Sequence, residues 1–299
     1  MLTIKKQVMV NNKQKPINSI RFIILTAICL LTNVLNINEA SAQKLSDGRI
    51  IEKNTTTGIA SFVGLLYYQD DRPGKTNEVR RCSATLISPR HILTAAHCIY
   101  DRDNPFTGNE GFPRNTIRFA PGHNGKLDET RLNEHQKDVQ PFGVAEVVGV
   151  YMQSQYKTYQ NNDDAKRVDL AVLKLNRAIN SQPETNPLFG YKRLGLGSKL
   201  EVRSNGYDQD QKKYYPDKQI TRKGNISIVT SPSLLNPLPE LFQSDWMAKS
   251  GASGGPIWIV INGKPTIIGI NTIDRFNKGY GIFFNAYHID WIDAYIKQP

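Results

Sequence analysis

Leu93-Thr-Ala-Ala-His97-Cys98 is the stretch that decides the reading of this chain, and Gly251-Ala-Ser253-Gly-Gly-Pro256 completes it. The first follows a short apolar run, His91-Ile-Leu-Thr94, and ends with a histidine beside a cysteine. The second sets a serine among glycines, whose missing side chains permit a tight turn close to another backbone. Between them, Val168-Asp-Leu-Ala-Val-Leu173 opens an apolar run with Asp169. A serine hydroxyl is a poor nucleophile at neutral pH. It needs a base within hydrogen-bond reach, and that base needs orienting. His97 can take the proton from Ser253, while Asp169 can hold the imidazole tautomer and stabilise its cation. Gly251 and Ser253 can turn two backbone N–H groups toward one point, where a developing oxyanion would sit. Each motif alone has an ordinary structural reading: a core histidine, a glycine turn, a strand-capping aspartate. Their conjunction in the order His, Asp, Ser points to covalent acyl transfer. His91, His123, His135 and His288 have no comparable surroundings. HExxH, phosphate-loop and dinucleotide motifs are absent.

Outward from these motifs the chain reads as short strands. Ser61 to Tyr68 is apolar and aromatic, Cys82 to Ile87 nearly alternates, and Ser88-Pro89-Arg90 is a turn into His91–Thr94. Further strands are predicted at 116–120, 143–152 and 170–175, then near 199–206, 219–230, 257–261, 266–272 and 280–284. Residues 101–115, 121–138 and 153–167 are polar or rich in Asp, Asn, Gly and Pro, so they read as loops. Residues 180–198 read as a crossover between two halves. The last stretch differs: Ile289, Ile292 and Ile296, with Trp291 beside them, fall at helical spacing. Many short strands, turn-rich links and one end helix predict an all-β barrel protein with a C-terminal α-helix.

The first 42 residues read as a signal peptide. Lys5, Lys6, Lys13, Lys15 and Arg21 form a basic start, Phe22 to Leu35 is mostly apolar, and Ala40-Ser41-Ala42 is a small-residue cleavage site. The apolar run is shorter than the ~20 residues a spanning helix needs. No stable membrane insertion is therefore expected after its removal, and the destination is secreted or periplasmic. Removing residues 1–42, with five basic residues and one acidic, leaves 257 residues at net charge +7. The basic residues are spread out, with no block resembling a nucleic-acid arm. Only Cys82 and Cys98 remain. In an exported chain they suggest one disulfide, which would restrict the unfolded chain by about 3 kcal/mol. A zinc site built on two cysteines would need further ligands at useful spacing, and the sequence offers none.

On these residues the chain resembles the trypsin/chymotrypsin-like serine proteases, in their bacterial secreted branch with the glutamyl endopeptidases. Thr94-Ala-Ala-His97-Cys98, Asp169-Leu-Ala-Val-Leu173 and Gly251-Ala-Ser253-Gly-Gly-Pro256 match the family's three motifs, the last except at Ala252. Cys82 matches the cysteine that bridges to the one after the catalytic histidine. The resemblance covers roughly residues 50 to 297. It implies two six-stranded antiparallel β-barrels packed together, with the site in the cleft between them. Residues 50–179 would carry His97 and Asp169, and residues 180–299 would carry Ser253 and the terminal helix. It further implies a secreted serine endopeptidase acting on protein or peptide substrates as a monomer, with no cofactor and no metal. A weakly active or non-catalytic binding protein on the same fold is the alternative.

Two departures from the family matter. Arg49-Ile50-Ile51 looks like the family's activation junction, with residues 43–49 as a short propeptide, so the chain would be a zymogen. Yet the carboxylate that usually pairs with the freed amine is replaced by Ala252. Either the N-terminal segment is held differently or activation does not need it. At the specificity pocket, Met247 stands where trypsin-like enzymes carry an aspartate, and Ala248 follows it. Asn271 stands where glutamate-specific relatives carry a histidine. Thr272 would line the pocket, Asp274 would reach its mouth and Gly281 would keep one wall open. An apolar or mixed preference is expected, with a basic preference through Asp274 as the other possibility.

Overall fold

The computed structural model describes residues 43–297 except 76–77, 104, 159–161, 180–187, 191–193, 210–216, 230–239, 247–248 and 276–277. The strands, in chain order, are β1 (Gln43–Lys44), β2 (Ile50–Ile51), β3 (Val63–Gln69), β4 (Val79–Ser88), β5 (His91–Thr94), β6 (Arg118–Pro121), β7 (Ala145–Met152) and β8 (Ala171–Leu175). They continue as β9 (Leu188–Phe189), β10 (Lys199–Tyr207), β11 (Gln219–Ile228), β12 (Glu240–Ser244), β13 (Pro256–Ile261), β14 (Lys264–Arg275) and β15 (Lys278–Phe283). Helices α1 (Ser154–Thr158) and α2 (Asn162–Lys166) are single turns, and α3 (Ala286–Ile296) is the terminal helix.

Two closed six-stranded antiparallel barrels result. The first runs β3-β4-β5-β8-β7-β6 and back to β3. The second runs β10-β13-β14-β15-β12-β11, closed by the β11–β10 pairing. The β1–β2 hairpin adds to β11, and β9 lies parallel to β14. Closing each sheet on itself removes free edges. Val63, Leu65, Phe119, Val172 and Leu173 are buried on the two faces of the first barrel's strands. Val202, Ile226, Phe242, Ile257, Ile268 and Phe283 fill the second. Strand β3 is apolar almost throughout because both its faces are covered.

The seam between the barrels is crossed by several polar contacts. Tyr207 Oη donates to the His123 carbonyl at 2.9 Å, and Gln219 Nε2 donates to the Ala60 and Val63 carbonyls at 2.9 and 3.1 Å. Helix α3 starts where Asn285 accepts from the His288 N–H (3.2 Å) and His288 Nδ1 accepts from the Asn285 N–H (3.1 Å). This reciprocal cap satisfies two donors that a helix start leaves open. The helix buries Ile292 in the larger core cluster, which draws on both halves, and Tyr295 stacks on Tyr151 of the first barrel at 4.5 Å.

The predicted strands are all present within a few residues. Strand β12 was not anticipated, and the stretch predicted as loop at 153–167 contains α1 and α2. Both are too short to show a helical period, and isolated turns of this length form only where packing holds them.

Candidate active site

His97 sits on a turn of 3-10 helix, Ala96–Cys98, directly after β5. The turn is tied to β4 twice. Cys82 and Cys98 form a disulfide with Cα atoms 6.1 Å apart, and Thr94 Oγ1 donates to the Ser83 carbonyl at 2.8 Å. The His97 backbone N–H donates to Asp169 Oδ1 at 2.8 Å, and Nδ1 meets Oδ2 of the same carboxylate at 2.7 Å. Asp169, just before β8, is 1% exposed. An ionised carboxylate accepts only, so Nδ1 carries the proton in this bond and Nε2 keeps the lone pair. Arg80 Nη2 adds a bond to the His97 carbonyl at 3.1 Å. The imidazole is therefore fixed in tautomer, ring orientation and backbone position.

Ser253 lies on the turn entering β13. Gly251 and Gly254 hold positive φ of +90° and +82°, which L side chains rarely adopt. Neither position has room for a Cβ: one at 251 would lie 2.4 Å from the Tyr207 carbonyl oxygen, and one at 254 would lie 2.2 Å from the Ser83 carbonyl oxygen and Thr94 Oγ1. The turn is bound on several sides. The Ser83 N–H donates to the Ser253 carbonyl (2.8 Å) and the Gly254 N–H to the Asn271 carbonyl (2.8 Å). Ser83 Oγ donates to the Gly251 carbonyl and accepts from the Tyr207 N–H, both at 2.8 Å. Ala252 turns its N–H back to the Lys249 carbonyl. Among the described residues, no protein acceptor engages the N–H of Gly251 or of Ser253. These are the two donors expected for an oxyanion.

His97, Ser253, Gly251 and Cys82 line one cavity of about 300 Å³ with Arg72 and Arg80. Ser253 Oγ donates to the Thr272 carbonyl at 3.0 Å, and among the described residues no hydrogen bond joins it to His97. Cys82, His97 and Cys98 place candidate ligand atoms within 4.8 Å of one another. Both sulfurs are in the disulfide, so the cluster offers no thiolate to a metal.

The pocket residues are dispersed in their roles. Asn271 is buried, with Nδ2 donating to Ser204 Oγ at 2.6 Å and to the Gly255 carbonyl at 3.4 Å. Thr272 is buried beside it. Gly281 lies where a Cβ would meet the Ile270 carbonyl oxygen at 2.0 Å. Met247 and Ala248 lie outside the described residues, and Asp274 is described only as a backbone position in β14. The remaining histidines hold local structure: His91 pairs with Ser88 Oγ, His123 with the Gly125 carbonyl and His135 with the Gln140 carbonyl. Two features near the site have no sequence signature, the Ser83 bridge to the Gly251 carbonyl and a buried group in which Arg49 and Arg222 share Asp208.

Comparisons with known proteins agree with this fold. The sequence model of the trypsin family matches residues 60–292. The CLIP domain-containing serine protease B15 of Anopheles gambiae is 35% identical over 275 residues, which cover 85% of this chain and 71% of that protein. A solved Glu endopeptidase superposes with TM-score 0.59 at 20% identity, over 85% of this chain and 99% of its own. An inactivated protease paralogue of the scabies mite superposes with TM-score 0.51 at 19% identity, over 83% of this chain and all of its own.

Proposed function

Since the chain belongs to the trypsin family of serine proteases, we propose that it is an exported serine endopeptidase that hydrolyses peptide bonds through an acyl-enzyme on Ser253. The observation that carries this reading is that His97, doubly bonded to the buried Asp169, lines the same cavity as Ser253. Ser253 Oγ first turns from the Thr272 carbonyl to His97 Nε2, a rotation about one side-chain bond. Oγ then attacks the substrate carbonyl as its proton passes to Nε2. The resulting oxyanion accepts from the Gly251 and Ser253 N–H groups, each of which is expected to contribute about 3 kcal/mol. The imidazolium, steadied by Asp169, protonates the leaving amine. Water then takes the amine's place, gives a proton to His97 and releases the acid.

The finer assignments follow from the same reading. Residues 1–42 act as the signal peptide, and the destination is secreted or periplasmic. The halves divide at 50–179 and 180–299. Substrates are proteins or peptides, the enzyme is a monomer without cofactor, and its relatives include the bacterial glutamyl endopeptidases. Among the described residues no helix is long and apolar enough to cross a membrane. The side-chain preference is apolar or mixed.

A second reading, a weakly active or non-catalytic binding protein, draws on Ala252 and on the Ser253 hydroxyl being engaged by Thr272. The test is wild type beside Ser253→Ala on a diverse peptide library, with cleavage sites read by mass spectrometry. Cleavage by wild type and its loss by about 10⁶-fold in the variant is the expected result. Folded wild type that cleaves nothing, whether its Arg49–Ile50 bond is intact or cut, moves the assignment to the binding protein.

A further inference from the structure

The Arg49–Ile50 bond sits in a place ill suited to processing. Arg49 lies between β1 and β2, and its carbonyl accepts from the Leu45 N–H at 2.7 Å. Ile50 and Ile51 on its far side are already paired with β1 and with β11. A protease needs an extended, exposed segment with its side chains free to enter a pocket. The Arg49 side chain is only 11% exposed. Its Nε meets Asp47 Oδ2 and its Nη1 meets Asp208 Oδ2, both at 2.8 Å. Arg222 closes on the same Asp208 oxygen.

Asp208 is not remote from the chemistry. It follows Tyr207, whose carbonyl oxygen abuts Gly251. It precedes Gln209, whose N–H donates to the Ser250 carbonyl at 2.6 Å and which lines the cavity. Residues 207–209 thus form the bed on which the Ser250–Gly251 turn rests. Ala252, 1% exposed, has no carboxylate to receive an amine freed at Ile50. A buried carboxylate, Asp208, is nonetheless present within that bed, and the Arg49 cation meets it.

Resting on the protease reading above, we propose that Arg49 is a positioning residue. Through Asp208 it fixes the backbone beneath Gly251 and Ser253, and the competent enzyme is the chain with the Arg49–Ile50 bond intact. The guanidinium does the work a freed N-terminus does elsewhere, and cutting after Arg49 would separate it covalently from the barrel it orders.

The test uses protein expressed from its full chain and a fluorophosphonate that acylates active serines. Labelled molecules are peptide-mapped across residues 45–53, and labelling rate, kcat and KM are compared for wild type, Arg49→Ala, Arg49→Lys and Asp208→Asn well below each unfolding midpoint. The expected result is label on uncut chains, with Arg49→Ala slowing labelling and kcat by about ten- to a hundredfold at nearly constant KM, as small misplacement of reacting groups does. Arg49→Lys should recover part of that loss. Label found only on chains beginning at Ile50 overturns the proposal. So does an Arg49→Ala protein that melts earlier but keeps its kcat. If wild type takes no label, it is cut after Arg49 with trypsin. Activity that then appears refutes the positioning role and keeps the protease reading, whereas none under either condition refutes both.

Discussion

His97 and Ser253 face one cavity but are held there by different means. Everything that fixes His97 comes from the first barrel and its loops: Arg80, the Cys82–Cys98 bridge, Thr94 and Asp169. The Ser253 turn is held from both barrels, by Ser83 of the first and by Tyr207, Gln209 and Asn271 of the second. The base is thus held by one barrel, whereas the nucleophile's geometry depends on contacts from both. Errors in the first half should degrade chemistry through protonation and orientation. Errors at the seam should degrade it through the oxyanion donors.

The largest expected effect in this contrast is at Asp169. Asp169→Asn keeps the shape of the pair but favours the wrong imidazole tautomer, and kcat should fall by about 10⁴-fold. Steady-state kinetics on a cleaved library peptide measures it, and a loss below tenfold would remove Asp169 from the mechanism. Opening the Cys82–Cys98 bridge comes next. The cysteines are 16 residues apart, so the double Cys82→Ser, Cys98→Ser variant should lose about 3 kcal/mol of stability. Denaturant unfolding gives the number. The contrast predicts that what remains folded still labels at Ser253.

Ser83→Ala is the corresponding cut at the seam. It leaves the Tyr207 N–H buried without its acceptor and frees the Gly251 carbonyl, at a cost of about 1–3 kcal/mol. Stability and kcat should both fall, while the His97–Asp169 bond should keep its downfield proton resonance. Loss of that resonance would mean the two halves are not separable.

The contrast also extends to pH. Burial pushes His123 at the seam down to about 4, with Asp217 opposing and Arg81 assisting the shift, and pushes His288 in the helix cap down to about 3. The unfolded chain binds these protons near pH 6.5 while the folded protein does not, so the unfolded state gains protons first. The stability from neutral burial is complete above pH 6.5 and is lost as pH falls toward 4 and 3. Unfolding midpoints measured from pH 7 to 4 should decline, and His123→Gln should flatten part of the slope. An unchanged slope would assign the acid sensitivity to other groups.

The barrels were legible because alternating apolar positions and turn residues mark strands locally, as at Cys82–Ile87 and Leu170–Leu175. The three site residues were legible because each stands in a short contiguous motif. Strand β12 was not, because Glu240-Leu-Phe-Gln-Ser244 follows a proline-rich run and is too brief to show alternation. The Arg49–Asp208 pair was invisible for a different reason. Its members are 159 residues apart, and an ion pair imposes no pattern on the sequence around either partner. Ser83 was hidden in the same way, as one polar residue in an apolar strand.

The reciprocal cap at Asn285 and His288 has a consequence in time rather than in space. It starts the helix whose Tyr295 stacks on Tyr151 of the first barrel, although that helix follows every described strand. During synthesis the half that holds the base stays unfinished until the half that holds the nucleophile has emerged as well. The first barrel therefore gains its last packing partner only after both motif-bearing halves have been made.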